Sequence, residues 1–229
     1  MKAIILAAGK GTRCLPLTKI IPKVLISINK KPFLYYLLEN LKTAGCSEFG
    51  IIVGHLREKI TEFVKENKIN ATLIEQAEQL GTGHALAQAE KFANGEDFLL
   101  VSGDNLYSAE DLKNISELEP TAMAGFVSQD PERYGVLELN GNKLIQIIEK
   151  PKNPKSNLVN TGLYKFGPEI FPLLKNLKKT PSGEYYLTDA INILAQQNKV
   201  EVKKLDGYWI DLGKLEDIPA VEKELAKLF

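Results

Sequence analysis

The sequence predicts an α/β fold in which a mostly parallel sheet carries helices on both faces. Two observations predict it. Short apolar runs alternate with helical patterns through the first half of the chain. The first run, residues 3–8, is apolar throughout rather than alternating with polar residues, as expected of a strand covered on both sides. A βαβα rhythm of this kind builds a parallel sheet.

The elements follow in order. Residues 3–8 (AIILAA) form the first strand candidate. Leu34, Leu37, Leu38 and Leu41 then recur at helical spacing, with Gly45 placed to end the helix. Residues 50–53 (GIIV) make a second strand, followed by a helix carrying Ile60, Phe63 and Val64. Residues 71–75 (ATLIE) repeat the strand pattern, and one helix is expected through Leu86 and Phe92. Residues 98–102 (FLLVS) give a fourth strand that runs into Gly103-Asp104.

The second half changes character. Asn140-Gly141-Asn142 separates residues 134–139 from 143–149, and Asn-Gly favours the positive φ of a tight hairpin turn. Pro151 and Pro154 break a polar stretch, after which 159–166 reads as a strand and 186–197 as a helix. Residues 200–205 and 208–212 are short strand candidates before a charged amphipathic helix. The expectation is one domain over 1–229. Its later segments, residues 130–212, would form a small, substrate-facing β extension.

Composition narrows the function. Lysine plus arginine and aspartate plus glutamate both total 29, so the chain has no basic excess for nucleic acid or anionic membrane. Phosphate chemistry would have to come from locally placed charges. Cys14 and Cys46 form no C-x-x-C pair, so neither a disulfide framework nor a zinc site is expected, and a reducing cytoplasm fits. Charged residues follow the first apolar run at once, which argues against a signal peptide.

Gly9-Lys10-Gly11-Thr12-Arg13 follows the first strand directly. Glycines there let backbone N–H groups approach a phosphate that a Cβ would obstruct. The dinucleotide fingerprint wants a third glycine where Cys14 stands, and the Walker A loop wants a Gly-Lys-Ser/Thr absent from this chain. Read from Leu6, the segment continues LAAGKGTRCLPLTKIIPKVLISINKKP. This resembles the signature of the sugar nucleotidylyltransferases: L-A-A-G-x-G-T-R, then P-x-T, then P-K, then K-P.

The resemblance implies a Rossmann-like nucleotide-diphospho-sugar transferase fold and a nucleotide site built from Leu6, Ala8, Gly9, Gly11 and Thr12. It makes Arg13 and Lys23 the catalytic pair, holding the triphosphate and neutralising charge at the α-phosphate. Their chemistry suits this, since arginine offers a rigid fork of donors and lysine a mobile point charge. Residues 76–85 resemble the uridylyltransferase part of N-acetylglucosamine-1-phosphate uridylyltransferases, which assigns base reading to Gln76 and Gly81. Thr82 would stand beside them, a type also suited to capping the next helix. His84, early in that helix, reads as structural.

Asp104 ends a strand where ligands of open α/β sheets bind, although Gly-Asp-Asn is also good turn chemistry. The resemblance makes it a Mg²⁺ ligand. Asp211, in GYWIDLGK, resembles the W-x-D-x-G aspartate of glucose-1-phosphate thymidylyl- and uridylyltransferases that completes the metal site. Gly135, Glu149, Lys150, Asn160, Glu184 and Tyr186 lie in segments similar to the family's sugar-binding patches. Each is ordinary turn or cap sequence taken singly, and their order along one chain carries the assignment.

The implied reaction joins UTP or dTTP to glucose 1-phosphate or N-acetylglucosamine 1-phosphate with release of pyrophosphate. The alternatives are a CTP-dependent transferase acting on a non-sugar phosphate, and a regulatory subunit that binds nucleotide-sugar without turnover. Larger relatives append a β-helix acetyltransferase. No hexapeptide period follows Trp209, so none is expected in this chain. Homo-oligomerisation is left open.

Overall fold

A computed structural model describes all residues, 1–229. Along β1 (Lys2–Leu6) the side chains feed two cores alternately: Ala3 and Ile5 one way, Ile4 the other. A strand apolar from Ala3 onward is what a sheet covered on both faces requires.

A small hairpin, β2 (Ser27–Ile28) and β3 (Lys31–Pro32), leads into α1 (Phe33–Thr43). Then come β4 (Glu48–Val53), α2 (Arg57–Glu66), β5 (Ala71–Glu75), and the short helices α3 (Thr82–Ala87) and α4 (Glu90–Ala93). β6 (Phe98–Ser102), β7 (Asn105–Tyr107), α5 (Ala109–Ser116) and β8 (Ala122–Val127) follow. β9 (Gly135–Asn140) and β10 (Lys143–Glu149) form the expected hairpin, with Gly141 at φ 60°. The chain ends with β11 (Leu158–Phe166), α6 (Ile170–Lys175), α7 (Leu187–Gln196), β12 (Glu201–Lys204), β13 (Trp209–Asp211) and α8 (Ile218–Leu228).

Nine strands form one mixed sheet in the order β5-β4-β1-β6-β11-β8-β12-β10-β9. It is parallel through β5-β4-β1-β6 and again between β8 and β12. Strand β11 enters antiparallel beside β6, and the β9–β10 hairpin closes the far edge. The β extension expected from sequence is therefore a continuation of the main sheet. Helices α1, α2, α5 and α8 cover one face through residues such as Leu37, Phe63, Ile115 and Val221. Helices α3, α4, α6 and α7 cover the other through Leu86, Ala93, Phe171 and Ile191.

Several sequence expectations are corrected in detail. The first strand ends at Leu6, although the Ala7 N–H still donates to Ile52 O at 2.9 Å. The helix expected through Leu86 and Phe92 is broken at Gln88-Ala89, which leaves Leu86, Ala89 and Ala93 all in one core. The strand at 208–212 stays outside the main sheet and pairs with β7. No helix is long and apolar enough to cross a membrane.

Candidate active site

Three parallel strands deliver their carboxyl ends to one edge of the sheet. β1 runs into the glycine loop, β5 into Gln76, and β6 into Gly103-Asp104. Ligands of open α/β sheets collect at that edge. Here it holds a cleft of about 600 Å³.

The glycine loop is held rather than loose. Gly11 has φ 61°, and a Cβ there would stand 2.9 Å from Thr18 Cγ2 and 3.1 Å from Lys23 Cβ. Only glycine meets both demands. Thr18 Oγ1 donates to Gly11 O at 2.8 Å, and His55 Nε2 donates to Thr18 O at 2.9 Å. Arg13 sits in a 3-10 turn after the loop, and Pro22, at ψ 142°, leads Lys23 into another. Leu6, Ala8, Gly9, Gly11, Thr12, Arg13 and Lys23 all line the cleft, together with Gln76, Gly81 and Thr82.

Thr82 is not the helix cap its type suggested. Gly81 occupies that position without a side-chain cap, and Thr82 Oγ1 instead accepts from Leu187 N at 3.1 Å. The hydroxyl thus joins the start of α3 to the start of α7.

A second cavity of about 240 Å³ adjoins the first. Gly135, Glu149, Lys150, Asn160 and Asp211 line it. Gly135 and Glu149 face one another in register across the β9–β10 hairpin. Lys150 has φ 43°, a left-handed conformation that a non-glycine residue adopts at a cost. Asn160 lies where β11 bulges away from β8, its Nδ2 donating to Tyr164 Oη at 2.7 Å. Burial raises the Glu149 carboxyl above the ordinary range and nearby Asp189 adds to the rise, while Lys150 and a hydrogen bond from Thr188 oppose it. Glu184 and Tyr186 line the larger cleft. The segment ahead of α7 folds back over α3, where Tyr185 O accepts from Gly83 N at 2.9 Å.

The two cavities share Leu6, Arg13, Thr82, Ser102 and Asp104. Lys23 Nζ lies 2.6 Å from Asp104 Oδ2. The other oxygen, Oδ1, accepts from Asn105 Nδ2 at 3.0 Å, and Asn105 Oδ1 in turn accepts from Trp209 Nε1 at 2.6 Å. β13 pairs Asp211 with Asn105, which brings the second carboxylate beside the first. Burial and then the charge of Asp104 raise the Asp211 carboxyl to about 6, against the pull of Lys23 and Arg13. Tyr134 Oη donates to Asp211 Oδ2 at 3.4 Å.

A family model for nucleotidyl transferases matches residues 2–227. The chain belongs to the nucleotidyl transferase family. Among curated relatives of this nucleotidyl transferase, the bifunctional protein GlmU of Methanocaldococcus jannaschii is 40% identical over 98% of the chain. A bifunctional sugar-1-phosphate nucleotidylyltransferase/acetyltransferase of Sulfurisphaera tokodaii is 39% identical over 97% of it. The chain spans about half the length of these relatives, 54% and 55%. A solved structure assigned as a glucose-1-phosphate thymidylyltransferase from Bacillus anthracis, in complex with sucrose, superposes with a TM-score of 0.86 at 30% identity. That match covers 100% of this chain and 96% of the other. A UDP-glucose pyrophosphorylase complexed with UDP-glucose shares the fold, with a TM-score of 0.88 at 24% identity and coverage of 100% and 99%.

The sequence reading did not single out Ser102, Asn105 or Arg133. Ser102 and Asn105 flank the Gly-Asp that it did read, so position alone could have flagged them. Arg133 follows Pro131-Glu132 in a polar turn, and only the fold brings it to the cavity.

Proposed function

We propose that this nucleotidyl transferase joins a nucleoside triphosphate to a sugar 1-phosphate and releases pyrophosphate. UTP is the favoured nucleotide with dTTP the alternative, and the sugar is glucose or N-acetylglucosamine. The observation that carries the reading is the junction of the two cavities. A basic residue, Arg13, and a carboxylate, Asp104, are common to both, with Lys23 paired to the carboxylate. A reaction between two anionic substrates needs such a meeting point.

In the reaction, an oxygen of the sugar phosphate attacks the α-phosphorus in line. The bond from that phosphorus to the α–β bridging oxygen breaks, and its electrons leave with pyrophosphate. The attacking oxygen is already anionic, so no general base is required. Arg13 binds phosphate oxygens through its fork of donors, and Lys23, held against Asp104, contributes a positioned charge near the α-phosphate. The glycine loop excludes side chains from the triphosphate path. Gln76 and Gly81 read the base; Gly135, Glu149, Lys150 and Asn160 orient the sugar phosphate. Glu184 and Tyr186 act from the nucleotide side of the junction.

Asp104 and Asp211 suit a divalent cation. Together they offer the hard oxygen ligands that Mg²⁺ prefers, and a cation between them would offset the repulsion that raises the Asp211 carboxyl. Such an ion would supply charge neutralisation and orientation of phosphate oxygens. We place residues 1–229 in one domain that carries this activity.

The test is pyrophosphate release from a grid of UTP, dTTP, CTP, GTP and ATP against glucose, N-acetylglucosamine, glucosamine and mannose 1-phosphates with Mg²⁺. Turnover with UTP or dTTP and a gluco-configured sugar is expected, lost on chelation and restored by Mg²⁺. Silence across the grid while nucleotide-sugar still binds would overturn the assignment.

A further inference from the structure

The Gln76 side chain emerges from the end of β5 and is only 4% exposed. Its Nε2 lies 3.1 Å from the Gly81 carbonyl oxygen and 3.0 Å from His84 Nδ1. A backbone carbonyl can only accept, so the end of the amide facing Gly81 must be the NH₂ group. The remaining hydrogen of that NH₂ then falls on His84 Nδ1. This nitrogen accepts only when the ring proton resides on Nε2.

Gln88 competes for the same ring, its amide nitrogen lying 3.3 Å from His84 Nε2. A neutral imidazole carries one proton and cannot accept at both nitrogens. Burial decides the contest. Gln76 is buried and its amide nitrogen is pinned by Gly81 O. Gln88, although its nitrogen also lies 3.2 Å from His84 O, is exposed and can swing into solvent at little cost. Both hydrogens of the Gln76 amide are therefore spent inside the protein. Oε1 has no protein partner and belongs to a residue that lines the cleft.

We propose that His84 sets which end of the Gln76 amide faces the cleft, making the base subsite an acceptor that selects uracil or thymine against cytosine. The inference rests on the reading of this cleft as a nucleotide site. Uracil and thymine carry an N–H at the ring position where cytosine carries a lone pair. Against an outward Oε1 the first completes a hydrogen bond, and the second sets two acceptors face to face. The neighbouring Gly81 N–H has no partner within the protein and matches the adjacent carbonyl of the imide. His84 is thus a positioning residue that acts through Gln76. A role limited to packing against Tyr185, whose ring lies 6.4 Å away at 29°, predicts lost stability with base choice unchanged.

The experiment measures dissociation constants for UTP and CTP by calorimetry, without sugar phosphate, in the intact chain and in His84→Lys and His84→Asn. Lysine offers only donors, so the preference for UTP over CTP should fall about tenfold or more. Asparagine can present an oxygen to Gln76 and should keep the preference within about threefold. An unchanged ratio in His84→Lys, or an equal collapse in both variants, overturns the proposal. If His84→Lys does not fold, the ¹⁵N histidine spectrum of the unaltered chain at about pH 8 decides, above the ordinary histidine range. Both histidines should appear as Nε2–H tautomers, since His55 Nε2 donates to a carbonyl. An Nδ1–H ring would overturn the assignment. Turnover of UTP with a sugar 1-phosphate is assayed on the same preparation. No turnover beside an intact, His84-dependent preference would sink the proposed reaction and leave the role of His84 standing. Failure of both nucleotides to bind would overturn both.

Discussion

Lys23 is nearly buried and lies against Asp104, so its charge is held in place before any substrate arrives. In the proposed reaction an incoming triphosphate would find a fixed cation rather than a mobile surface lysine, which is the arrangement electrostatic catalysis favours. Lys23→Ala should lower turnover by about 10² or more, with the fold retained by circular dichroism. Asp211 makes a different prediction. Its carboxyl is raised to about 6 in the folded chain from an ordinary 3.8, so between those values the folded state binds more protons than the unfolded one. Stability of the metal-free protein should therefore decline as pH rises from about 4 to 6, the reverse of a salt-bridged aspartate. Thermal melts of the chain and of Asp211→Asn check this, because the variant should show a shallower decline, the raised Glu149 carboxyl still contributing. A flat profile in the unaltered chain would contradict the burial and charge repulsion assigned to Asp211.

Secondary elements decide where these groups meet. The turn after β1 succeeds because Gly11 can adopt φ 61° between Thr18 and Lys23. Gly11→Ala should cost about 1–2 kcal/mol in stability, before any strain from displacing Thr18. It should also raise the KM for nucleotide, measurable in the same pyrophosphate assay. The β7–β13 ribbon has a comparable task, carrying Trp209 to Asn105 and so Asn105 to Asp104. Trp209→Phe keeps the ring packing against Tyr134 and Phe126 but deletes the donor. Turnover should drop about tenfold with little change in melting temperature. Some of these elements were legible beforehand. Strands β5 and β6 fall where their apolar runs placed them, and the Asn140-Gly141 turn marked its hairpin. β8 was missed because its sequence, AMAGFV, carries two alanines and a glycine, poor strand formers whose place is settled by neighbours. At Gly125 a Cβ would press on Leu137 and Leu158 at 3.0–3.1 Å. α5 was missed although Ser108 and Asp111 announce its start, with Ser108 Oγ accepting from Asp111 N at 3.1 Å.

Across the whole molecule, the sheet serves as a frame between two cores, and the site stands at its edge rather than inside either. Leu100 illustrates the separation: it is fully buried in the centre of the sheet and lines neither cavity. Leu100→Ala should cost about 2–5 kcal/mol of stability, read by denaturant titration, while the KM for both substrates stays within about twofold at low temperature. A large KM change would show that sheet and site are mechanically coupled. The reversal at β11 has a larger functional consequence. Entering antiparallel beside β6, it brings Asn160 and the β9–β10 hairpin alongside the carboxyl ends of β1 and β6. Two cavities, each lined by residues from both halves of the chain, thereby share a wall.

By itself the sequence determined the α/β class, the glycine loop and the residues of the loop-to-lysine motif. These depend on contiguous stretches, where hydrophobic period and local backbone freedom leave a direct trace. Tertiary structure alone decided that Glu184 and Tyr186 line the larger cleft, that Thr82 ties two helices, and that Trp209 reaches Asp104 through Asn105. It also decided which end of the Gln76 amide meets the cleft. Such contacts join residues far apart in the chain or turn on the direction of a single hydrogen bond. Neither leaves a periodic mark in the sequence, because the geometry that selects them exists only once the sheet has formed.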